Sequence, residues 1–275
     1  MTVIEGQFIR PHTVGKFSWR ELWRVRNMIT NLIRASALLP YSETYFGYFW
    51  TLFRPFVFLG VIVFIKQRSG AHMGEGIPYP LFLYSGLIIW WYLVDAIKQS
   101  ARSVFTYKGL ITKIYFPRII APAVPVFGRL FDLGIQAAGV AVMMVLFSRY
   151  PDSHIFLLPL VLLNVIVLCL GLGYLLAVAS VAFRDTERIL DYILYIGLFV
   201  SPVIYSIELV PPEYRDLYSW LNPAVGPLMA FRAVLFSGGQ PDYPALVHSM
   251  IVSVVLLVIG MMVFQRVQAT LAERM

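Results

Sequence analysis

Long apolar segments separated by short polar ones recur along the chain from about residue 48 to its end. A helix needs about 20 predominantly apolar residues to cross a bilayer. Six segments meet this requirement, the first and the fifth with help from aromatic flanks. They are Tyr48–Ile65, Pro80–Ile97, Ile119–Phe147, Ile155–Phe183, Ile189–Ile207 and Ala245–Phe264. The pattern therefore predicts an all-α integral membrane protein with six transmembrane helices.

A further apolar segment, Ala224–Phe236, is too short to be a seventh span. Asn222 and Pro223 precede it, and a Gly-Gly-Gln-Pro run over residues 238–241 follows it. An apolar segment of this length is typical of a re-entrant or interfacial helix. We therefore expect re-entrant helices on the extracytoplasmic side, within about residues 208–242, before the last span.

Before the first span the pattern becomes amphipathic. Ser18 and Glu21 have the spacing of a capping box, which predicts a helix that begins at Trp19. Its polar face comprises Arg20, Arg24, Asn27, Asn31 and Arg34, and its apolar face comprises Leu22, Val25, Ile29, Leu32 and Ile33. A cationic amphipathic helix is expected to lie in the inner-leaflet interface; the alternative is a packing helix of a small cytoplasmic domain. We therefore divide the chain into an N-terminus with this interface helix, residues 1–40, and a transmembrane domain, residues 41–275.

Composition excludes a water-soluble protein and charge predicts the orientation. Hydrophobic residues make up 59% of the 275 and charged residues 13%, whereas soluble domains have roughly 45–50% and about 25%. If the N-terminus is placed in the cytoplasm, most of the 22 Lys and Arg residues fall in cytoplasmic segments. This asymmetry is typical of membrane proteins. It predicts that both termini are cytoplasmic.

The sequence contains no arrangement of residues that indicates covalent chemistry. Arg10 stands where a phosphate-binding loop ending at Gly15-Lys16 would need glycine. The four histidines are isolated, and the single cysteine, Cys169, lies in an apolar run. We therefore expect no catalytic residues, no metal site and no cofactor bound by this chain. Energy for any uphill movement would come from a partner or an ion gradient.

Charges inside spans are rare, and their spacing favours ion pairs. Arg129 and Asp132 are three residues apart, so they can form an intramembrane ion pair, and Asp95 and Lys98 have the same spacing. An ion-coupled carrier would usually place unpaired carboxylates at this depth. The structural interpretation is therefore favoured over ion coupling.

Aromatic residues recur at three- or four-residue steps in two places. The sets are Tyr41, Tyr45 and Tyr48, followed directly by Phe49, and Tyr192, Tyr195 and Phe199. One interpretation is an aromatic belt at the membrane interface. The other is a pair of helical faces that line a path, where rings stack on sugars while hydroxyls bond the sugar edges. The second interpretation predicts these seven residues as a substrate channel.

Several segments also resemble a known family. The stretch Gly86–Pro122 closely resembles the second span and following cytoplasmic loop of ABC-2 type polysaccharide-export permeases, the membrane subunits that export O-antigen, teichoic acid and some capsular polymers. Supporting matches are Phe46–Pro55, Phe183–Asp185, Ser201–Tyr205 and Leu221–Pro223. The resemblance extends over most of the chain from about Trp19.

The resemblance implies a permease subunit that exports a lipid-linked, O-antigen-like polysaccharide across the bacterial cytoplasmic (inner) membrane. In that family two permeases pair as a homodimer around one channel, and each docks on a separate ATPase subunit, so two ATPase copies carry the ATP and Mg²⁺. No nucleic-acid partner is expected. The alternatives are an ABC-2 exporter of a drug or lipid, an ion-driven flippase, and an integral-membrane transferase acting on lipid-linked sugars. The transferase would use the loose acidic cluster Glu208, Glu213 and Asp216.

The resemblance also implies where the ATPase docks. The cytoplasmic loop of about residues 99–121 is expected to carry a short coupling helix. By resemblance the contact centres on Lys113, Tyr115, Phe116 and Arg118. Arg184 and Asp185, which follow the fourth span, are expected to pair with another element such as the interface helix or the ATPase.

Overall fold

The structure, a computed structural model, describes residues 23–42, 44–69, 76–113, 117–183, 185–236 and 240–271. Within these ranges the chain is helical and contains no strand. The helices are α1 (Arg26–Ser42), α2 (Phe49–Ser69), α3 (Tyr79–Thr106), α4 (Lys108–Lys113), α5 (Ile120–Gly128), α6 (Leu130–Leu146), α7 (Leu158–Ala182), α8 (Thr186–Val200), α9 (Pro212–Leu221), α10 (Val225–Leu235) and α11 (Tyr243–Leu271). Short 3₁₀ turns over Ser153–Leu157 and Ile207–Leu209 precede α7 and α9.

The all-α prediction is confirmed, with five helical segments long and apolar enough to cross a membrane among the described residues. They are Phe49–Arg68, Tyr79–Leu110, Ile120–Leu146, Ser153–Ala182 and Tyr243–Gln268. The fifth predicted span, Ile189–Ile207, corresponds to α8, which has 15 residues and ends at Val200. Pro202 explains this end, because the residue before a proline is driven out of the helical conformation, and Ser201 is extended with ψ 153°.

Helix α3 is the central element of the fold. Most of its side chains are buried, and it contacts α2, α5, α6, α7, α8 and α10. Helices α7 and α11 pack against each other along much of their length. A Cβ at Gly171 would lie 2.7 Å from the Leu257 backbone nitrogen, so glycine permits this close crossing.

The apolar face predicted for the N-terminal helix packs against α5 of the same chain. Val25, Ile29 and Leu32 lie against a small core that includes Ile120 and Val124. The predicted capping residues Ser18 and Glu21, and the predicted helix start at Trp19, lie outside the described residues. Part of the apolar face therefore contacts protein.

Hydrogen bonds between different helices and loops cluster near the two ends of α3, which is about 40 Å long. At one end, Ser100 Oγ donates to the Pro122 carbonyl at 2.7 Å and the Tyr174 hydroxyl to the Ile119 carbonyl at 2.8 Å. At the other, the Tyr79 hydroxyl donates to the Ile204 carbonyl at 3.0 Å. We call these the inner and the outer end, following the orientation predicted from Lys and Arg.

Candidate transport face and coupling region

Helix α8 presents its predicted aromatic residues on the surface of the chain. Tyr192, Tyr195 and Phe199 are 70%, 66% and 49% exposed. The rings of Tyr195 and Phe199 meet edge to face with centroids 5.7 Å apart. Within α8 only Leu190 and Leu198 are buried. The helix therefore attaches to the core along a narrow strip, and the described residues leave its aromatic face exposed.

The aromatic set before α2 divides into packed and exposed residues. The ring centroids of Tyr41 and Tyr48 are 5.2 Å apart, and those of Tyr48 and Phe131 of α6 are 5.4 Å apart. Tyr45, Tyr48 and Phe49 are exposed, whereas Tyr41 is partly buried. Burial raises the pKa of the Tyr41 phenol. Three of the four residues are therefore exposed, and Tyr41 packs against Tyr48.

Phe46, Trp50 and Phe53 extend the exposed part of this set, although the predicted substrate channel did not include them. The ring centroids of Phe46 and Trp50 are 5.8 Å apart, and those of Trp50 and Phe53 are 5.2 Å apart. Their three- and four-residue spacing was the signal that could have identified them. Among the described residues no ring contact joins this cluster to the aromatic face of α8.

A row of ion pairs connects α3 to its neighbours α2 and α8. The pairs are Arg54–Asp95 at 3.3 Å, Lys98–Asp191 at 2.6 Å and Arg102–Glu187 at 2.8 Å. All six side chains are between 34% and 53% exposed. The predicted Asp95–Lys98 pairing is therefore wrong. Asp95 instead pairs with Arg54 of α2 and Lys98 with Asp191 of α8, because the neighbouring helices supply side chains of opposite charge.

Arg129 and Asp132 form an ion pair inside the protein. Arg129 Nη1 lies 2.6 Å from Asp132 Oδ2, and both side chains are nearly buried. Arg129 Nη2 also donates to the Ser36 carbonyl at 2.6 Å. One guanidinium therefore holds α1 against the junction of α5 and α6.

The structure describes two of the residues predicted to contact an ATPase. Arg118 donates to the backbone carbonyl of Gln268, near the last turn of α11, where a cation suits the negative end of a helix. Asp185 is exposed immediately before α8. The Lys113 side chain and residues Tyr115, Phe116 and Arg184 lie outside the described residues. Arg118 therefore links the coupling loop to the last helix of its own chain.

At the outer end the Ser201–Tyr205 and Leu221–Pro223 segments come into contact. Asn222 Nδ2 donates to Ser201 Oγ at 2.8 Å. The hydroxyls of Tyr205 and Tyr218 lie 3.0 Å apart. Burial and this hydrogen bond raise the pKa of the Tyr218 phenol well above its ordinary value, so it stays neutral.

Arg232 of α10 is a functional candidate that the sequence interpretation missed. It lies in the predicted re-entrant segment Ala224–Phe236, is 6% exposed and donates to the carbonyls of Pro202 and Val203. Most residues of α10 are buried. A count of Lys and Arg residues outside the spans gives no information about this burial.

The described residues offer no group of three or more His, Cys, Asp and Glu side chains that could hold a metal ion. Glu208, Glu213 and Asp216 are exposed at the outer end. Cys169 is buried.

No family model matches the chain, but curated proteins resemble it over most of its length. It is 28% identical to the O-antigen export system permease protein RfbA of Myxococcus xanthus. The 256 aligned residues are 92% of this chain and 97% of that protein. It is 25% identical to the Klebsiella pneumoniae protein of the same name, over 85% of this chain and 89% of that protein.

The Escherichia coli polysialic acid transport protein KpsM is 24% identical over 80% of this chain and 85% of that protein. These relatives are transport proteins by name, in agreement with the expectation of a transporter membrane subunit and not an enzyme. The similarities confirm the resemblance of this chain to the ABC-2 type polysaccharide-export permeases.

Proposed function

We propose that this chain is the permease subunit of an ABC transporter that exports a lipid-linked, O-antigen-like polysaccharide across the bacterial cytoplasmic membrane. The observation that carries the proposal is the similarity over 92% of the chain to an O-antigen export permease. A separate ATPase subunit would drive export. The sequence supports this division of labour, because it contains no phosphate-binding loop.

The proposed topology has six spans and two cytoplasmic termini. Helix α8, although about 22 Å long, would form the fifth span together with the chain that continues through Ser201–Ile204. Helix α10 has 11 residues, most of them buried, and supports a re-entrant element that enters the protein from the outer side. Helix α1 would lie at the inner interface against α5.

The proposed cargo path uses the exposed aromatic residues of α8 and of the segment that leads into α2. A polymer that slides needs many weak contacts, since one tight site would stall it, and aromatic contacts of about 0.5–1.5 kcal/mol suit this requirement. Two copies of the chain would face each other across the path. The path would comprise Tyr41, Tyr45, Tyr48, Phe49, Tyr192, Tyr195 and Phe199.

The proposed coupling region is the loop of about residues 99–121. Two ATPase subunits, one for each permease, would contact Lys113, Tyr115, Phe116, Arg118, Arg184 and Asp185. The hydrogen bonds of Ser100 to Pro122 and of Arg118 to Gln268 support a route by which movement of the loop reaches α3 and α11.

Deletion of the gene in its native host tests the proposal. We expect polysaccharide to accumulate inside the cell and to disappear from the surface, and both effects to be reversed by the wild-type gene. Fractionation followed by carbohydrate analysis measures the distribution. Unchanged surface polysaccharide in the deletion strain would contradict the proposed cargo.

A further inference from the structure

The two ends of α8 are attached to α3 by different kinds of contact. At the inner end, Asp191 pairs with Lys98 and Glu187 pairs with Arg102, and all four side chains are partly exposed. At the outer end, the chain that follows α8 is held through backbone carbonyls in a buried site. Exposed ion pairs are weak, whereas buried hydrogen bonds from a charged donor are stronger. The helix is therefore held more firmly at its outer end.

Arg232 makes a buried, two-point attachment at the outer end. Its Nη1 lies 2.5 Å from the Pro202 carbonyl and its Nη2 lies 2.7 Å from the Val203 carbonyl. The carbonyls of the residues after Val200, the last residue of α8, lie outside the hydrogen-bond ladder of that helix. A planar guanidinium can satisfy two of them at once, which a lysine cannot do with the same geometry.

One face of α3 forms the seat for this guanidinium. The Arg232 Cζ lies 3.7 Å from the centroid of the Phe82 ring. Gly86, about one turn further along, leaves the space that the guanidinium occupies, because a Cβ there would lie 2.1 Å from Arg232 Nη2. Tyr79, about one turn before Phe82, donates to the next carbonyl, that of Ile204. Three successive carbonyls after α8 are thus held against α3.

We propose that Arg232 is the positioning residue of α8: it fixes the outer end of the aromatic helix against α3, so that the inner end is the end that moves. The transport role of this arrangement rests on the proposed function. Its structural part does not, because it concerns which end of α8 separates from the core. The residue acts on the cargo path through α8 and does not contact the path itself.

Cysteine reporters at the two buried positions of α8 distinguish its ends. Leu198→Cys reports on the outer part and Leu190→Cys on the inner part, since these leucines are 2% and 6% exposed. The rate of modification by N-ethylmaleimide is measured on the full chain in native membranes, with Cys169→Ala as the background. A thiol reacts when local opening brings it into contact with water.

Arg232→Lys is expected to raise the modification rate at Leu198→Cys about tenfold and to leave Leu190→Cys within about twofold, because the lysine loses one charge-assisted hydrogen bond. Lys98→Gln combined with Arg102→Gln is expected to raise the modification rate at Leu190→Cys and to leave the rate at Leu198→Cys within about twofold. Arg149→Lys is the matched control: Arg149 also donates to a backbone carbonyl at this end, that of Gly76 at 2.9 Å, and its replacement is expected to change neither rate.

Gly86→Ala tests the same site without altering the arginine. We expect it to reproduce the effect of Arg232→Lys on Leu198→Cys. Added to Arg232→Ala, it is expected to have little further effect, because the two changes act on one interaction. Equal rises at both reporters, or no rise at Leu198→Cys in either variant, would overturn the inference.

Surface polysaccharide in the Arg232→Lys strain supplies a second measurement. We expect its amount to fall while the amount of permease in the membrane stays unchanged. If Arg232→Lys raises the modification rate only at Leu198→Cys and export stays normal, the transport role of Arg232 is overturned. That result would not contradict the proposed function. The deletion strain tests the proposed function independently.

Discussion

Arg129 and Asp132 show how much one pair of side chains can contribute inside this fold. Both are nearly buried, and Arg129 also reaches the Ser36 carbonyl of α1. Removal of one partner of a buried pair leaves an uncompensated charge and costs about 3–5 kcal/mol. Replacement of both by apolar residues of similar volume is often neutral. The pair is therefore expected to be strongly coupled.

Arg129→Met and Asp132→Leu are each expected to lower the unfolding temperature of the chain in detergent, and the double variant to lower it by less than the sum. The interaction free energy from this double-mutant cycle is expected to be about 0.5–3 kcal/mol. The matched control is Arg54→Met with Asp95→Leu, a partly exposed pair for which about 0–1 kcal/mol is expected. Strict additivity at Arg129 and Asp132 would contradict a buried, coupled pair.

At the scale of helices, α7 and α11 cross with their backbones in close approach at Gly171. The Cβ that Gly171 lacks would lie 2.7 Å from the Leu257 nitrogen. Backbone atoms cannot move aside as a flexible side chain can, so a larger residue must separate the two helices. Overpacking of this kind typically costs about 1–3 kcal/mol.

Gly171→Val is therefore expected to reduce the yield of folded protein sharply, as measured by size-exclusion chromatography after detergent extraction. Gly134→Val is the matched control in α6, because no atom lies within 4 Å of the position of its missing Cβ. We expect the control to behave like the wild type. Equal yields of both variants would show that α7 and α11 do not cross closely at Gly171.

The existence of the helices was predictable, whereas their partners were not. Apolar length alone located the long helices, because crossing a bilayer imposes one requirement on every span. Helical spacing placed Asp95 beside Lys98, but the nearer partners are Arg54 and Asp191, which tertiary packing supplies. The contacts of Arg232 with Pro202 and Val203 were not predictable for the same reason, since sequence distance contains no information about contacts with another helix.

At the scale of the whole molecule, the described residues leave the aromatic face of α8 exposed. Tyr192, Tyr195 and Phe199 project from a helix with two buried side chains. Residues that line a path contribute little to folding, whereas residues that pack between helices contribute much. Yield and export therefore separate the two interpretations of this face.

The most direct test of the proposed cargo path replaces Tyr192, Tyr195 and Phe199 together by alanine and measures extracted yield beside surface polysaccharide. We expect normal yield and a marked loss of long polymer. Ile251, Val254 and Val258 of α11 are 58%, 45% and 49% exposed, and their triple alanine variant is the control, expected to export normally. A well-folded aromatic variant with undiminished export would contradict the account.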